Sequence, residues 1–214
     1  TQSRSSAASD VYKRQASGST STAGKPIPER RLSLIILGVD PGPTQSAWVV
    51  YHPGCNPGYM HTPPGRVYQN MIEPNEDFLR RLATNDFYAG HTHAVFERVE
   101  SFGMKVGVDG FETVFWTGRF FEACLKDGAA GCDRIGRKEI KLHLCQSPRA
   151  KDPNITQALV DKFAGVGGMK AAKGTKQEPG PLHGFKKDIW SALAVAVTYA
   201  ETHQGDETDG KETP

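Results

Sequence analysis

The run Leu34 to Tyr51, LIILGVDPGPTQSAWVVY, does most to limit what this chain can become. Its first half reads as a strand buried on both faces. That strand ends on Asp40, and Pro41-Gly42-Pro43 turns the chain back into a second apolar run, SAWVVYH at 46–52. An acid at the end of a buried strand loses hydration unless something compensates its charge, so its position points to a use for that charge.

The 214 residues and 37% hydrophobic content suit one sizeable core. No run reaches the roughly 18 apolar residues of a membrane span, and LSLIIL at 32–37 is too short for a signal-peptide core. A soluble, cytoplasmic protein is expected, in the host cytoplasm if a phage encodes it. Cys55, Cys124, Cys132 and Cys145 lack paired C-x-x-C spacing, so they read as free thiols rather than zinc ligands or a disulfide framework. The net charge of +2 conceals an asymmetry: residues 134–187 carry twelve Lys or Arg against four acids, and the last fourteen residues carry five acids against one lysine. A basic run alone is usually a solvated face; around an acidic site it suits a polyanion such as nucleic acid.

Residues 1–31 are rich in Ser, Thr, Ala and charge without apolar periodicity, and are expected to be disordered, as is the acidic tail 204–214. SSAASDVYKRQ at 5–15 also reads as a translated sequencing-adapter fragment and is excluded from fold reasoning. Between them, residues 32–203 form the expected domain. RVYQNMIE at 66–73 predicts a third strand and Ala94 to Val99 a fourth. Asn75 reads as the cap of a helix carrying Phe78, Leu79 and Leu82 on one face. From Asp109 to Lys126, Phe111, Val114, Phe115, Gly118, Phe121 and Leu125 recur at helical spacing and predict a core helix. EIKLHLC at 139–145 alternates as a fifth strand, Asp152-Pro153 starts another helix, and a Gly-, Lys- and Pro-rich loop follows from 165 to 181. A last helix from near Phe185 carries Ile189, Ala192, Leu193, Ala196, Val197 and Ala200. The order predicts an α/β fold: a mixed five-stranded sheet, antiparallel over its first three strands, flanked by helices.

Three acids stand at element edges: Asp40 after the first strand, Glu97 in AVFERVE, and Asp188 at the last helix. Singly, each has a plain reading as a turn residue, a paired strand acid and a helix-start charge. Together they can converge only if cations cancel their repulsion, and Mg²⁺ suits hard oxygen ligands; in pairs it can serve phosphoryl transfer.

GVDPGPTQSAWVVY, AVFERVE and HGFKKDIWSALAVAVTYAE resemble, in order and spacing, the three acidic motifs of RuvC-like Holliday-junction resolvases of the RNase H-like superfamily. The resemblance spans about residues 34–203. It implies that Asp40, Glu97 and Asp188 are catalytic and hold two Mg²⁺, with Mn²⁺ as a substitute, for cleavage of branched DNA to a 5′-phosphate and a 3′-hydroxyl. It implies a homodimer, with FETVFWTGRFFEA lying along the DNA-facing cleft and contributing to subunit pairing, and phosphate contacts from the loop holding Arg149 and Lys151. Lys186 and Lys187 beside the last acid extend that basic surface. Resolvases usually carry a His or Asp three residues before the last acid, where this chain has Phe185; Glu100 and His183 are the neighbouring candidates for an auxiliary ligand.

Two other readings use the same residues. Asp40-Pro41-Gly42-Pro43-Thr44 also satisfies the D-x-G-x-T phosphate loop of sugar-kinase and actin-like ATPases, although no second such motif follows. A non-catalytic nucleic-acid-binding protein that kept the fold and lost a ligand is the alternative that Phe185 favours. His91 and His93 read as loop residues rather than metal ligands, and His143 as a hydrogen-bonded residue. Trp48, Trp116 and Trp190 read as core, and Phe102 and Met104 as residues exposed against bases.

Overall fold

The computed structural model describes residues 34–54, 65–84, 87, 92–101, 103 and 105–203. The expectations for residues 1–31, the tail 204–214, Cys55, His91, Phe102 and Met104 lie outside the described residues.

Apolar alternation builds a five-stranded sheet from β1 (Ile35–Asp40), β2 (Gln45–His52), β3 (Arg66–Pro74), β4 (Thr92–Arg98) and β5 (Gly131–Gly136). Its order is β3-β2-β1-β4-β5. β1 to β3 form an antiparallel meander, whereas β4 runs parallel to β1 and β5 parallel to β4. Helices α1 (Asn75–Ala83) and α2 (Val108–Lys126) cover one face. Helices α3 (Arg137–Cys145), α4 (Asp152–Ala164) and α6 (Ile189–His203) pack on the other, with the short α5 (Gly168–Lys173) between α4 and α6 in the chain.

Successive strand residues face opposite layers, so each face has its own core. Leu37, Val39, Trp48 and Phe96 pack with Phe78 and Phe120 on the first face. Ile36, Val49, Val95 and Ile135 pack with Leu159 and Leu193 on the second. Helix α6 is buried along most of its length. Its small residues let it lie directly against β1: a Cβ at Gly38 would sit 2.7 Å from the Ala196 Cβ and collide with the Ala192 carbonyl oxygen.

Four sequence expectations are corrected. EIKLHLC belongs to helix α3, and the fifth strand is GCDRIG. Over seven residues the alternation also satisfies i, i+4 spacing: Ile140 is buried and Leu144 half-buried, whereas Leu142 is 42% exposed. Asn75 is the first helical residue rather than the cap. α6 starts at Ile189, later than Phe185, and Asp188 directly precedes it, accepting the Ala192 N–H on its carbonyl at 3.0 Å. Within the expected loop at 165–181, residues 165–167 make a 3₁₀ turn that leads into α5.

A fifth difference matters more. α2 buries Trp116, Phe120 and Cys124, while Phe111, Val114, Phe115 and Leu125 are between 52% and 66% exposed. The helix therefore has apolar residues on two sides, and only one of them meets the sheet. The three tryptophans are buried, as expected.

Gly38→Ala should destabilise the protein by about 1–3 kcal/mol, because the added methyl meets helix backbone that cannot yield without α6 moving off β1. Urea unfolding of the two proteins measures the difference.

Candidate active site

The site begins with register. Val39 pairs with Phe96 across the parallel β1–β4 ladder, and both side chains enter the α1–α2 core. Alternation turns the next residue of each strand, Asp40 and Glu97, to the α6 face, on neighbouring strands about 4.8 Å apart. Both acids lie at the carboxyl ends of parallel strands, where open α/β sheets place their functional groups. Asp188 reaches the same corner from the start of α6.

The turn leaving Asp40 is held from a distance. Asn75, fully buried, donates from Nδ2 to the Gly42 carbonyl at 3.0 Å and accepts the Ser46 hydroxyl at 2.7 Å. Its backbone N–H donates to the Thr44 carbonyl at 3.1 Å. A residue read as a helix cap is thus a clamp on the loop carrying the first acid.

Burial raises the Asp40 pKa most, followed by the charge of Glu97 and then, more weakly, that of Asp188; Arg137 and a hydrogen bond from Ser191 act the other way, and the group ends at about 8. Glu97 is also raised, by burial first, against the lowering effect of Arg137. The charges of Glu97 and Asp188 therefore act on Asp40; burial penalises charge at Asp40 and Glu97, whereas Asp188 is exposed.

Arg137, the first residue of α3, enters this cluster. Its Nη1 donates to Glu97 Oε2 at 2.8 Å and to Ser191 Oγ at 3.3 Å, and its Nη2 donates to Asp152 Oδ1 at 2.5 Å. Ser191 also acts on Asp40, lowering its pKa, so the guanidinium bonds Glu97 directly and holds a hydroxyl that bears on Asp40. Lys141, one turn further along α3, adds a positive charge acting on Glu97.

Arg137, Lys141, Asp152 and Ser191 were not singled out by the sequence. The misplaced fifth strand hid Arg137, since placing β5 at 131–136 puts it immediately after the strand beside Glu97.

The other predicted residues are dispersed. Lys186 and Lys187 are exposed and line a cleft of about 430 Å³ with Gln45, Asn70 and Ile72, beside Asp188. Lys187 holds a left-handed φ of 43°, which is uncommon for a non-glycine residue. Lys151 is exposed next to Asp152, and its backbone N–H donates to Asn154 Oδ1 at 2.9 Å. Arg149 is exposed and lines a separate depression with Cys145 and Asn154. Glu100 accepts two hydrogen bonds from Arg98, at 2.6 and 3.1 Å. His183 donates from Nδ1 to the Lys173 carbonyl at 2.8 Å. Phe185 is buried against Trp190. His93 lies inside β4 rather than in a loop, bonded to Asp133 and Tyr199, both at 2.8 Å. His143 bonds Glu201 at 2.8 Å, from a helix rather than a strand.

The donor chemistry fits a hard divalent cation: carboxylate oxygens from three elements, with Asp40 and Glu97 half-buried and Asp188 exposed. As the side chains stand, however, no group of three His, Cys, Asp or Glu among the described residues could hold a metal ion. The positive charge inside the cluster comes from the Arg137 guanidinium.

No protein-family model matches the chain, and no curated protein matches it in sequence. Solved structures do. Thermus thermophilus RuvC is similar over 79% of this chain and 96% of its own, at 17% identity and a TM-score of 0.52. The same protein in complex with Holliday junction substrate is similar over 79% and 97%, at 16% identity and a TM-score of 0.51. The fold is therefore the RNase H-like fold of RuvC.

The raised acids fix a pH dependence. Between the unfolded Asp40 pKa near 3.8 and its folded value of about 8, the folded state binds more protons than the unfolded state, so stability falls as pH rises through that window. In EDTA, the melting temperature should drop from pH 5 to pH 8, and Asp40→Asn should flatten the decline.

Proposed function

We propose that this protein is a divalent-cation-dependent endonuclease that hydrolyses DNA phosphodiesters at branched junctions, four-way junctions foremost. The observation that carries the reading is the convergence of Asp40, Glu97 and Asp188 from β1, β4 and the start of α6 on one corner of an RNase H-like sheet. Nothing in ordinary folding calls for three acids there, and their mutual repulsion makes the arrangement costly without a cation. These three carboxylates are the groups that would hold Mg²⁺ or Mn²⁺. A pair of such ions would supply an activated water and stabilise the leaving oxygen of an in-line displacement that yields a 5′-phosphate and a 3′-hydroxyl.

The chain's own cations serve the substrate. Lys186 and Lys187, which precede Asp188 in the chain, line a cleft with Gln45 and Asn70, a mixture of ammonium and amide groups suited to a nucleotide backbone. Lys151 and Arg149 extend the basic surface past Asp152. Such contacts position the strand without reading its sequence. The RuvC structure with a Holliday junction makes four-way junctions the first substrate to test.

A symmetric junction has two equivalent cleavage positions, which favours a two-fold dimer with paired sites. The exposed side of α2 offers a surface for it: Phe111, Val114, Phe115 and Leu125 form an apolar stripe, and Val114 and Leu125 also line a groove of about 440 Å³ with Arg98 and Glu122. A non-catalytic DNA-binding protein is the second reading, favoured by Arg137 standing where a cation is needed.

Cleavage of a labelled four-way junction, a flap, a linear duplex and an RNA–DNA hybrid in Mg²⁺ decides between the readings. The expected result is junction cleavage that Asp40→Asn reduces by at least about 10³-fold with junction binding retained; cleavage surviving in Asp40→Asn removes the proposed site, and binding without cleavage in the wild type selects the second reading. Replacing Phe111 and Phe115 together by Asp should convert a dimer to a monomer in sedimentation equilibrium without lowering the melting temperature of the monomer fold, because neither ring is buried.

A further inference from the structure

We infer that Arg137 is a tethered counter-ion of the acid cluster, which a divalent cation must displace from Glu97, leaving the guanidinium anchored on Asp152 and able to hold a substrate phosphate. The inference rests on the proposed metal-dependent reading of the site.

Three features lead to it. The first is occupancy: Nη1 takes Glu97 Oε2 at 2.8 Å and Ser191 Oγ at 3.3 Å, so one of the two Glu97 oxygens is already bonded. A guanidinium at that place opposes the burial, and the lesser effect of neighbouring negative charge, that raise Asp40 and Glu97.

The second feature is that the two ends of the fork are unequal. The Glu97 side chain is 15% exposed, whereas Asp152, held by the other nitrogen, is 73% exposed. Nη1 serves the inner acid and Nη2 the outer one, so release from Glu97 leaves the Asp152 pair intact. Pivoting on that pair, the freed nitrogen stays at the rim, on the side where Lys151 adjoins Asp152. A planar guanidinium held there at one nitrogen suits bonding to a phosphate oxygen at the other.

The third feature is the mounting. Arg137 follows β5, the edge strand of the sheet, whereas Asp40 and Asp188 are fixed by the Gly38 contact with α6 and by Asn75. The group that gives way is thus the arginine side chain and not the acid frame. Lys141 is the other cation whose charge acts on Glu97.

The test is Mn²⁺ binding to the full chain, without DNA, by isothermal titration calorimetry, for the wild type, Arg137→Met, Arg137→Gln and Arg137→Lys. Removing the charge in Met or Gln should tighten Mn²⁺ binding about tenfold or more, since a charge-assisted pair no longer competes. Arg137→Lys should remain within about threefold of the wild type, because the competing charge is kept. In EDTA the Met and Gln variants should melt below the wild type, and Mn²⁺ should close the difference. In Ca²⁺, used to hold junction DNA uncut, the same two variants should bind the junction less tightly. Equal Mn²⁺ affinity in the wild type, Met and Gln proteins overturns the inference while leaving intact a metal-dependent nuclease that cuts junctions. Absence of Mn²⁺ binding from every variant, together with absence of cleavage, overturns the metal-dependent reading itself.

Discussion

Carboxylates gathered in a poorly solvated corner repel one another, and a fold that brings them together must also provide a positive charge or keep some of them protonated. Asp40 and Glu97 are set side by side by backbone register, on adjacent parallel strands, and no rotamer choice can separate them far. The protein meets this constraint with Arg137, which reaches Glu97 directly and Asp40 through Ser191. Much of the surrounding architecture follows from the same need. The Asn75 clamp keeps the turn after β1 from relaxing, and the small residues of α6 bring Ser191 and Asp188 against the strand ends.

The buried network at Glu73 shows how differently an acid is treated when it has only a structural task. Its carboxylate accepts the Trp48 indole N–H at 2.6 Å and a two-pronged bond from Arg81 at 3.1 and 3.0 Å. There an indole and a guanidinium both bond the one carboxylate. At Asp40 the donors are shared and repelling charges stand close by, which is the pattern expected of a group held for chemistry.

Much of this was legible in the sequence. Apolar runs long enough to fix a single period, such as LSLIILGVD and SAWVVYH, located β1 and β2 closely, and the three acids stood out because each interrupts an apolar element. Shorter or ambiguous patterns failed for identifiable reasons. EIKLHLC satisfies both strand and helix spacing, and GCDRIG carries two glycines and two charges because it is an edge strand with little to bury. Losing that strand concealed Arg137. The apolar stripe of α2 misled differently: helical spacing identifies a helix, yet it does not say which of two apolar sides meets the sheet. Asn75 looked like a cap because local propensity has no knowledge of Gly42 and Ser46, some thirty residues upstream in the chain.

The contact between Gly38 and α6 has a mechanical consequence. With no side chain between strand and helix, that joint has neither slack nor compressible filler, and the two acid-bearing elements it joins behave as one rigid jaw. Whatever latitude the pocket has for ligands of different bulk must come from the opposite jaw, where β5 is paired along only one side. Selection for a new ligand would then be expected to accumulate changes across residues 131–152 and to leave the Gly38–Ala196 seam untouched.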